Sequence, residues 1–432
     1  MPSQLSATER VERSLAALAD TGPAVNSVVR LDVDGARRSA RDIDAARDAG
    51  RPVGPLAGIP ISIKDSFDVR GMVSSHGIVA QSHIADDDAP AVAALRAAGC
   101  VIVGKTNVPR LLDDYQACSE EFGHTRNPLD SSRTGGGSSG GAAAVATGQV
   151  AFDLGSDMAG SVRVPAMFCG VSAWRPTHGI ISKARHLPWP TDIVVTPPSS
   201  TVGVIAPRVA DLRLPAEVLL ATNEILRGHM PRPAERRPWQ RIGIWMPESP
   251  RTGQSVRIAI DSWLDVLRRS GIEVVPVVPR HGSHDALATY HGLMAAERAH
   301  GGVDGEADAR PLLALLEAQA RARLEWSRLL DDVDVVVAPV APVVAPPVSD
   351  VPIDDREIDI DGQRYPATEM LTWCTVTSLC QAPSVTVPVG AEDTTGLPIG
   401  VQLIGRRGAD RELLAGAAEW ELHGLVGDDR TR

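Results

Sequence analysis

The chain has little that would staple, anchor or cofactor-load a fold. Its five cysteines, Cys100, Cys118, Cys169, Cys374 and Cys380, are odd in number, widely spaced and without a C-x-x-C pair. That excludes a disulfide framework and leads us to expect reduced thiols in a cytoplasmic protein. G-x-G-x-x-G, Walker A and H-E-x-x-H patterns are all missing, as is any cysteine–histidine cluster, so neither an organic cofactor nor a metal is expected. His76 and His83, and the loose group His281, His284 and His291, lack metal-ligand spacing. The longest apolar stretch, Val335 to Val348, is broken by Pro339, Pro342, Pro346 and Pro347, which excludes a membrane span there. The opening MPSQLSATERVERSLAALAD carries charges every few residues and no apolar signal-peptide core. Basic residues are in deficit, with a net charge of −11, which argues against nucleic-acid backbones and anionic membranes as partners. Aromatic residues make up only 3%, which leaves few flat apolar walls for a pocket.

What is present is a long chain of alternating patterns. At 432 residues it can bury a large core without staples. Helical periodicity is expected over 6–19, 36–49, 89–98, 142–147, 212–226, 256–269, 309–330, 366–379 and 411–422. Strand-like runs fall at 25–31, on the β-branched segment ending at Lys64, and at 100–104, 150–154, 241–246, 272–277, 384–387 and 399–404, with a further one in DVVVAP. This alternation predicts an α/β fold with a large mixed, mostly parallel twisted sheet and helices on both faces. A proline- and arginine-rich linker is expected at 227–238. The aperiodic stretch 178–201 reads as a loop walling a pocket, with His186, Trp189 and Ile193 as contact candidates.

The chemistry concentrates between Arg133 and Arg163. RTGGGSSGG runs into an alanine-rich helical segment, then FDLGSDMAGSVR. Ser138 and Ser161 each sit among glycines, where backbone can approach a ligand without Cβ atoms intervening. GGGSSGG alone would serve as a flexible linker, but the helix and strand that follow argue for a fixed loop. A serine nucleophile needs a base and preset donors for its oxyanion. The small residues before Ser161 let consecutive N–H groups converge as a nest, which makes Ser161 the candidate nucleophile. No histidine is near in sequence and no G-x-S-x-G elbow occurs. Lys64, closing the apolar run GPLAGIPISIKD, is the alternative base, because burial lowers an ammonium pKa.

Together, GPLAGIPISIKD, GKTNVP, FGHTRNPLDSSRT, GGSSGG, GSDMAGSVR, PAMFCGVSAWRPT, APSVTVPVG and LPIGVQLIG resemble the amidase signature family of serine hydrolases, over nearly the whole chain. The resemblance implies a Ser-cisSer-Lys triad. Ser161 attacks, Ser138 relays on a cis peptide, and neutral Lys64 is the terminal base. N–H groups of Met158, Ala159, Gly160 and Ser161 form the oxyanion hole, and Asp157 and Arg163 hold that loop. It also implies that Leu112, Asp113, Tyr115 and Gly137 border the acyl pocket, where Asp113 or Asp114 would favour polar or amine-bearing substrates. One departure concerns spacing. Ser138 and Ser161 are 23 positions apart, one fewer than is usual in the family. A gapless alignment on Ser161 would put Gly137 at the relay position, whereas a residue missing near Ala142 keeps Ser138 there, and the second is preferred.

The expected organisation is one domain over 1–432, with a catalytic core at about 52–206 plus 381–424 and a variable lobe at about 207–380. The expected activity is hydrolysis of a carbon–nitrogen bond in a small, non-peptide amide. Acyl transfer, ester or carbamate hydrolysis, glutaminase service in an amidotransferase, and a catalytically silent ligand-binding role stand as alternatives. A homodimer is compatible with such an enzyme.

Overall fold

The computed structural model describes residues 5–187, 196–222, 238–248, 251–279, 283–300 and 310–427. Eleven of the described strands join in one sheet. They are β1 (Val28–Leu31), β2 (Pro60–Lys64), β3 (Val101–Thr106), β4 (Phe152–Asp157), β5 (Ser172–Arg175), β6 (Thr201–Ala206), β7 (Arg241–Ile244), β8 (Glu273–Pro276), β9 (Val335–Pro339), β10 (Ser384–Ala391) and β11 (Pro398–Ile404). Across the sheet they run β1-β3-β2-β4-β6-β5-β10-β11-β9-β7-β8.

The sheet is mixed, as expected, but antiparallel pairings predominate. The pairs β3–β2, β2–β4, β9–β7 and β7–β8 are parallel; the remaining six are antiparallel. Parallel neighbours need a crossover, whereas a short turn returns the chain antiparallel. Helix α3 (Pro90–Ala97) lies between β2 and β3 in the chain, and α7 (Gln254–Arg269) between β7 and β8. The central β10 and β11 are instead consecutive strands joined by a tight hairpin, within which Gly396 N–H donates to Glu392 O at 2.8 Å.

Both faces are covered, so β3 and β4 are buried at every position. On one face α1 (Ala7–Val25), α2 (Val33–Asp48), α4 (Gly141–Ala146) and α5 (Arg163–Cys169) pack with Val101, Val103 and Ile205. The alanine run explains how α4 gets so close: Ala142, Ala143 and Ala144 are all 0% exposed. On the other face α3, α6 (Val209–Leu220), α7 and α11 (Asp410–Leu422) pack with Ile61, Ile63, Leu154 and Val204. Helix α1 starts where Ser6 and Glu9 exchange hydrogen bonds as a capping box, and it continues past the expected end to Val25.

Residues 207–380 supply β7, β8 and β9 at one edge of this sheet, with α8 (Ser283–His300), α9 (Arg310–Asp332) and α10 (Thr372–Leu379). Three tryptophans meet here: Trp245 packs edge-on against Trp326 and Trp373 at centroid separations of 5.3 and 5.0 Å. Trp189, Ile193, His281, the side chain of His284 and nearly all of the expected 227–238 linker lie outside the described residues. No helix among the described residues is long and apolar enough to cross a membrane.

Candidate active site

Three parallel strands, β3, β2 and β4, end at the same edge of the sheet, and ligands bind outside the carboxyl ends of such strands. Lys64 is the last residue of β2; Ser156 and Asp157 are the last two of β4. The pairing Ile63↔Leu154 brings these ends side by side.

Lys64 is 1% exposed. Its Nζ lies 2.6 Å from Ser138 Oγ and 3.0 Å from Ser156 Oγ. Burial, helped by the charge of Lys183 and opposed by Asp153 and Asp157, lowers its pKa to about 7. An amine poised at that value takes and returns a proton near neutrality. The Gly137–Ser138 peptide bond is cis. Gly137 is fixed against the backbone of residues 114–116: a Cβ there would lie 2.7 Å from Asp114 O, so no side chain fits.

Ser161 occupies the turn between β4 and α5. The preceding loop is organised by Asp157, whose Oδ1 accepts the Gly160 N–H at 3.0 Å and whose Oδ2 accepts that of Val162 at 3.2 Å. Gly160 has φ +111°, and a Cβ there would strike Cys374, so glycine is required. Burial alone would raise the Asp157 carboxyl, but Arg163 and Arg175 outweigh it and hold the group well below the usual carboxylate range. Arg163, 0% exposed, donates to Asp157 at 2.7 and 3.0 Å and also to Cys374 O, Ser378 Oγ, Thr377 Oγ1 and Gln402 Oε1. Met158, Ala159 and Ser161 remain partly exposed while Gly160 is buried, so the loop presents one open side.

Several residues around this centre carry no sequence signal of their own. Asp153, on β4, accepts hydrogen bonds from Ser62 at 2.7 Å and Ser139 at 3.2 Å; burial, partly offset by these bonds, raises its pKa to about 6. His186, a contact candidate by sequence, is turned into the interior. It is 1% exposed, with Nε2 2.8 Å from Ser156 Oγ and 3.0 Å from Ser66 Oγ. Lys183, just before it, donates to Ser200 Oγ. Among the described residues no group of histidine, cysteine, aspartate and glutamate is arranged to hold a metal ion.

The expected acyl-pocket residues fall into two sets. Leu112 and Asp113 sit on a surface turn, the first half-buried and the second exposed. Tyr115 is 1% exposed and lies under the Arg356 guanidinium, 5.2 Å from its ring centroid. Asp114 accepts from the same arginine at 2.7 and 3.0 Å, so its carboxylate is already matched by a cation. Tyr115 and Arg356 line one side of a groove of about 1260 Å³ shared with α7 and the chain around Pro346; Lys64, Ser138 and Ser161 do not line it.

With this geometry in view, comparison with known proteins is direct. The Amidase family profile matches residues 9–310 and 300–414. The putative amidase AmiB2 of Mycobacterium bovis is 35% identical over 416 residues, spanning 90% of this chain and 87% of that protein. A glutamyl-tRNA(Gln) amidotransferase subunit from Anaeromyxobacter sp. is 30% identical over 465 residues, spanning 93% of this chain and 90% of that protein. A crystal structure described as an amidase superposes with a TM-score of 0.80 at 27% identity, over 97% of this chain and 96% of that one. The chain is therefore a member of the amidase signature family, whose hydrolases act on carbon–nitrogen bonds.

Proposed function

We infer that the protein hydrolyses a small, non-peptide amide through an acyl-enzyme on Ser161. The observation that carries this reading is a buried Lys64 amine, its pKa lowered to about 7 by desolvation, 2.6 Å from the hydroxyl of Ser138. Ser161 Oγ bonds to the carbonyl carbon while its proton passes to Ser138 and the Ser138 proton to Lys64. Charge on the carbonyl oxygen is met by N–H groups of Met158, Ala159 and Ser161; the Gly160 N–H, expected to join them, is instead given to Asp157 Oδ1 at 3.0 Å and shapes the loop. As the C–N bond breaks, the Lys64 proton returns through Ser138 to the departing amine; water then cleaves the acyl ester by the same route. Esters and carbamates fit the same sequence of steps.

Residues 207–380 are read as a lobe of the same domain, which the shared sheet supports. Free thiols at all five cysteines suit a cytoplasmic setting. The likeness to one chain of an amidotransferase gives a second reading, in which a partner chain receives ammonia made by the same triad. Co-purification of that chain from the native host would favour it.

The test is intact-protein mass spectrometry after exposure to a serine-directed fluorophosphonate. An adduct mapping to Ser161 is expected, absent in Ser161→Ala and slowed at least about 100-fold in Ser138→Ala and Lys64→Ala. Its rate should rise with pH through about 7, because only neutral Lys64 accepts a proton. A folded wild type that takes no label would overturn the reading in favour of ligand binding without catalysis.

A further inference from the structure

Besides Ser138, a second row of buried groups reaches Lys64. Ser156 Oγ lies 3.0 Å from Lys64 Nζ and 2.8 Å from His186 Nε2, and Ser66 Oγ lies 3.0 Å from the same nitrogen. All four residues are at most 4% exposed. The His186 ring cannot wander. Its edge meets Phe67 at a centroid distance of 4.4 Å and an interplanar angle of 80°, and residues 67 and 186 form a backbone bridge. None of this is needed to write the relay, yet it constrains how the relay starts.

A neutral lysine amine has one lone pair and two N–H bonds. If that lone pair is to take the Ser138 proton, no other donor should occupy it. Ser156, at hydrogen-bond distance, is such a competitor, since a hydroxyl donates as readily as it accepts. What decides is where the Ser156 proton goes. We propose that His186 is a positioning residue: its Nε2 accepts the Ser156 hydroxyl proton, so that Ser156 can only accept an N–H from Lys64 and the lysine lone pair is left facing Ser138. The arrangement also suits the next state, in which an ammonium at position 64 donates to both serines. Burial, together with Lys183 and Lys64, keeps the imidazole pKa well below its ordinary value, so that it stays neutral, and the proposed role requires its Nδ1–H tautomer, in which Nε2 is the acceptor.

The inference rests on the proposed role of Lys64, and the experiment separates the two. Fluorophosphonate labelling rates are measured from pH 5 to 10 for wild type, His186→Leu, His186→Gln, Ser156→Ala and the double variant His186→Leu/Ser156→Ala, with circular dichroism and thermal unfolding to establish that each is folded. Leucine offers no acceptor, and we expect a loss of about tenfold, a fraction of what a general base contributes. Glutamine, whose Oε1 can take the place of Nε2, should restore most of the rate. In the Ser156→Ala background the leucine substitution should cost nothing further, because the competing hydroxyl has gone.

The pH profile gives an independent sign. The groups that act electrostatically on Lys64 are Lys183, Asp153 and Asp157; those acting on His186 are Lys183, Lys64 and His76. A Ser156 proton turned onto the lone pair stabilises neutral lysine, so the acid limb in His186→Leu should move to lower pH. Water entering through a packing defect would move it to higher pH. An unlabelled wild type would remove the catalytic reading itself. Labelled wild type with His186→Leu at the wild-type rate, an undiminished leucine cost in Ser156→Ala, or failure of a folded His186→Gln to recover would each overturn the role of His186 alone.

Discussion

Two lysines on adjacent strands are both sealed from solvent, yet they are held in different ways. Lys64 ends β2 and Lys105 sits on its neighbour β3, opposite Ile63; they are 1% and 0% exposed. Burial lowers both pKa values, to about 7 for Lys64 and about 8 for Lys105. Lys105 Nζ donates to Val73 O at 3.0 Å and Asp65 O at 3.2 Å, with the Asp65 carboxylate 3.5 Å away. Carbonyls and carboxylates only accept, so that cage demands an ammonium. The partners of Lys64 are hydroxyls, which donate or accept according to its charge. A buried lysine is suited to the base role proposed for Lys64 when its partners tolerate both protonation states, and desolvation alone does not distinguish the two sites.

The contrast can be broken first at Lys64. Lys64→Met should abolish labelling of Ser161, by at least about 100-fold, and yet raise the melting temperature at neutral pH, since an apolar side chain of similar length replaces a desolvated amine. Between about 7 and the unperturbed 10.5 the unfolded chain binds more protons at this position than the folded one does. Wild-type stability therefore gains up to about 1.4 kcal/mol per pH unit relative to the variant across that window. Urea unfolding at pH 7 and pH 9.5 would show the advantage shrinking; a methionine variant destabilised at both would sink the comparison. Lys105→Met should do the reverse, with a loss of about 1–3 kcal/mol, because Val73 O and Asp65 O each lose a donor and the Asp65 carboxylate keeps only Arg30, at 3.3 Å, as its cation, while labelling per folded molecule stays within about twofold. The finest test is Ser74→Ala. This hydroxyl, which donates to Phe67 O and lies 3.4 Å from Lys105 Nζ, should be worth about 1 kcal/mol in thermal unfolding and leave the pH dependence of labelling unchanged.

Much of this was readable in the chain because it is local. An apolar run ending in a lysine, a glycine-dense serine loop and an alanine-rich helix each follow from neighbouring residues. The proportion of parallel strands was not readable, since alternation of element types does not say which neighbours return through a hairpin. Asp153 and Ser156 could not be distinguished from solvent-facing positions until β4 was covered on both faces. His186 lies in a stretch without periodicity, and only the fold brings it to Ser156, 30 positions earlier. The match of Asp114 to Arg356 spans 242 positions, beyond the reach of any local pattern. It also removes the free carboxylate on which an amine-preferring pocket at Asp114 would rest.

Arg163 has a consequence for the order in which the enzyme is made. Lys64, Ser138 and Ser161 are all made before Arg163, but the groups that brace the loop through Arg163 come more than 200 positions later, at Cys374, Thr377, Ser378 and Gln402. A nascent chain thus carries Lys64, Ser138 and Ser161 well before it owns the struts that fix the loop through Arg163, and the bracing of that loop is complete only once Gln402 has been made.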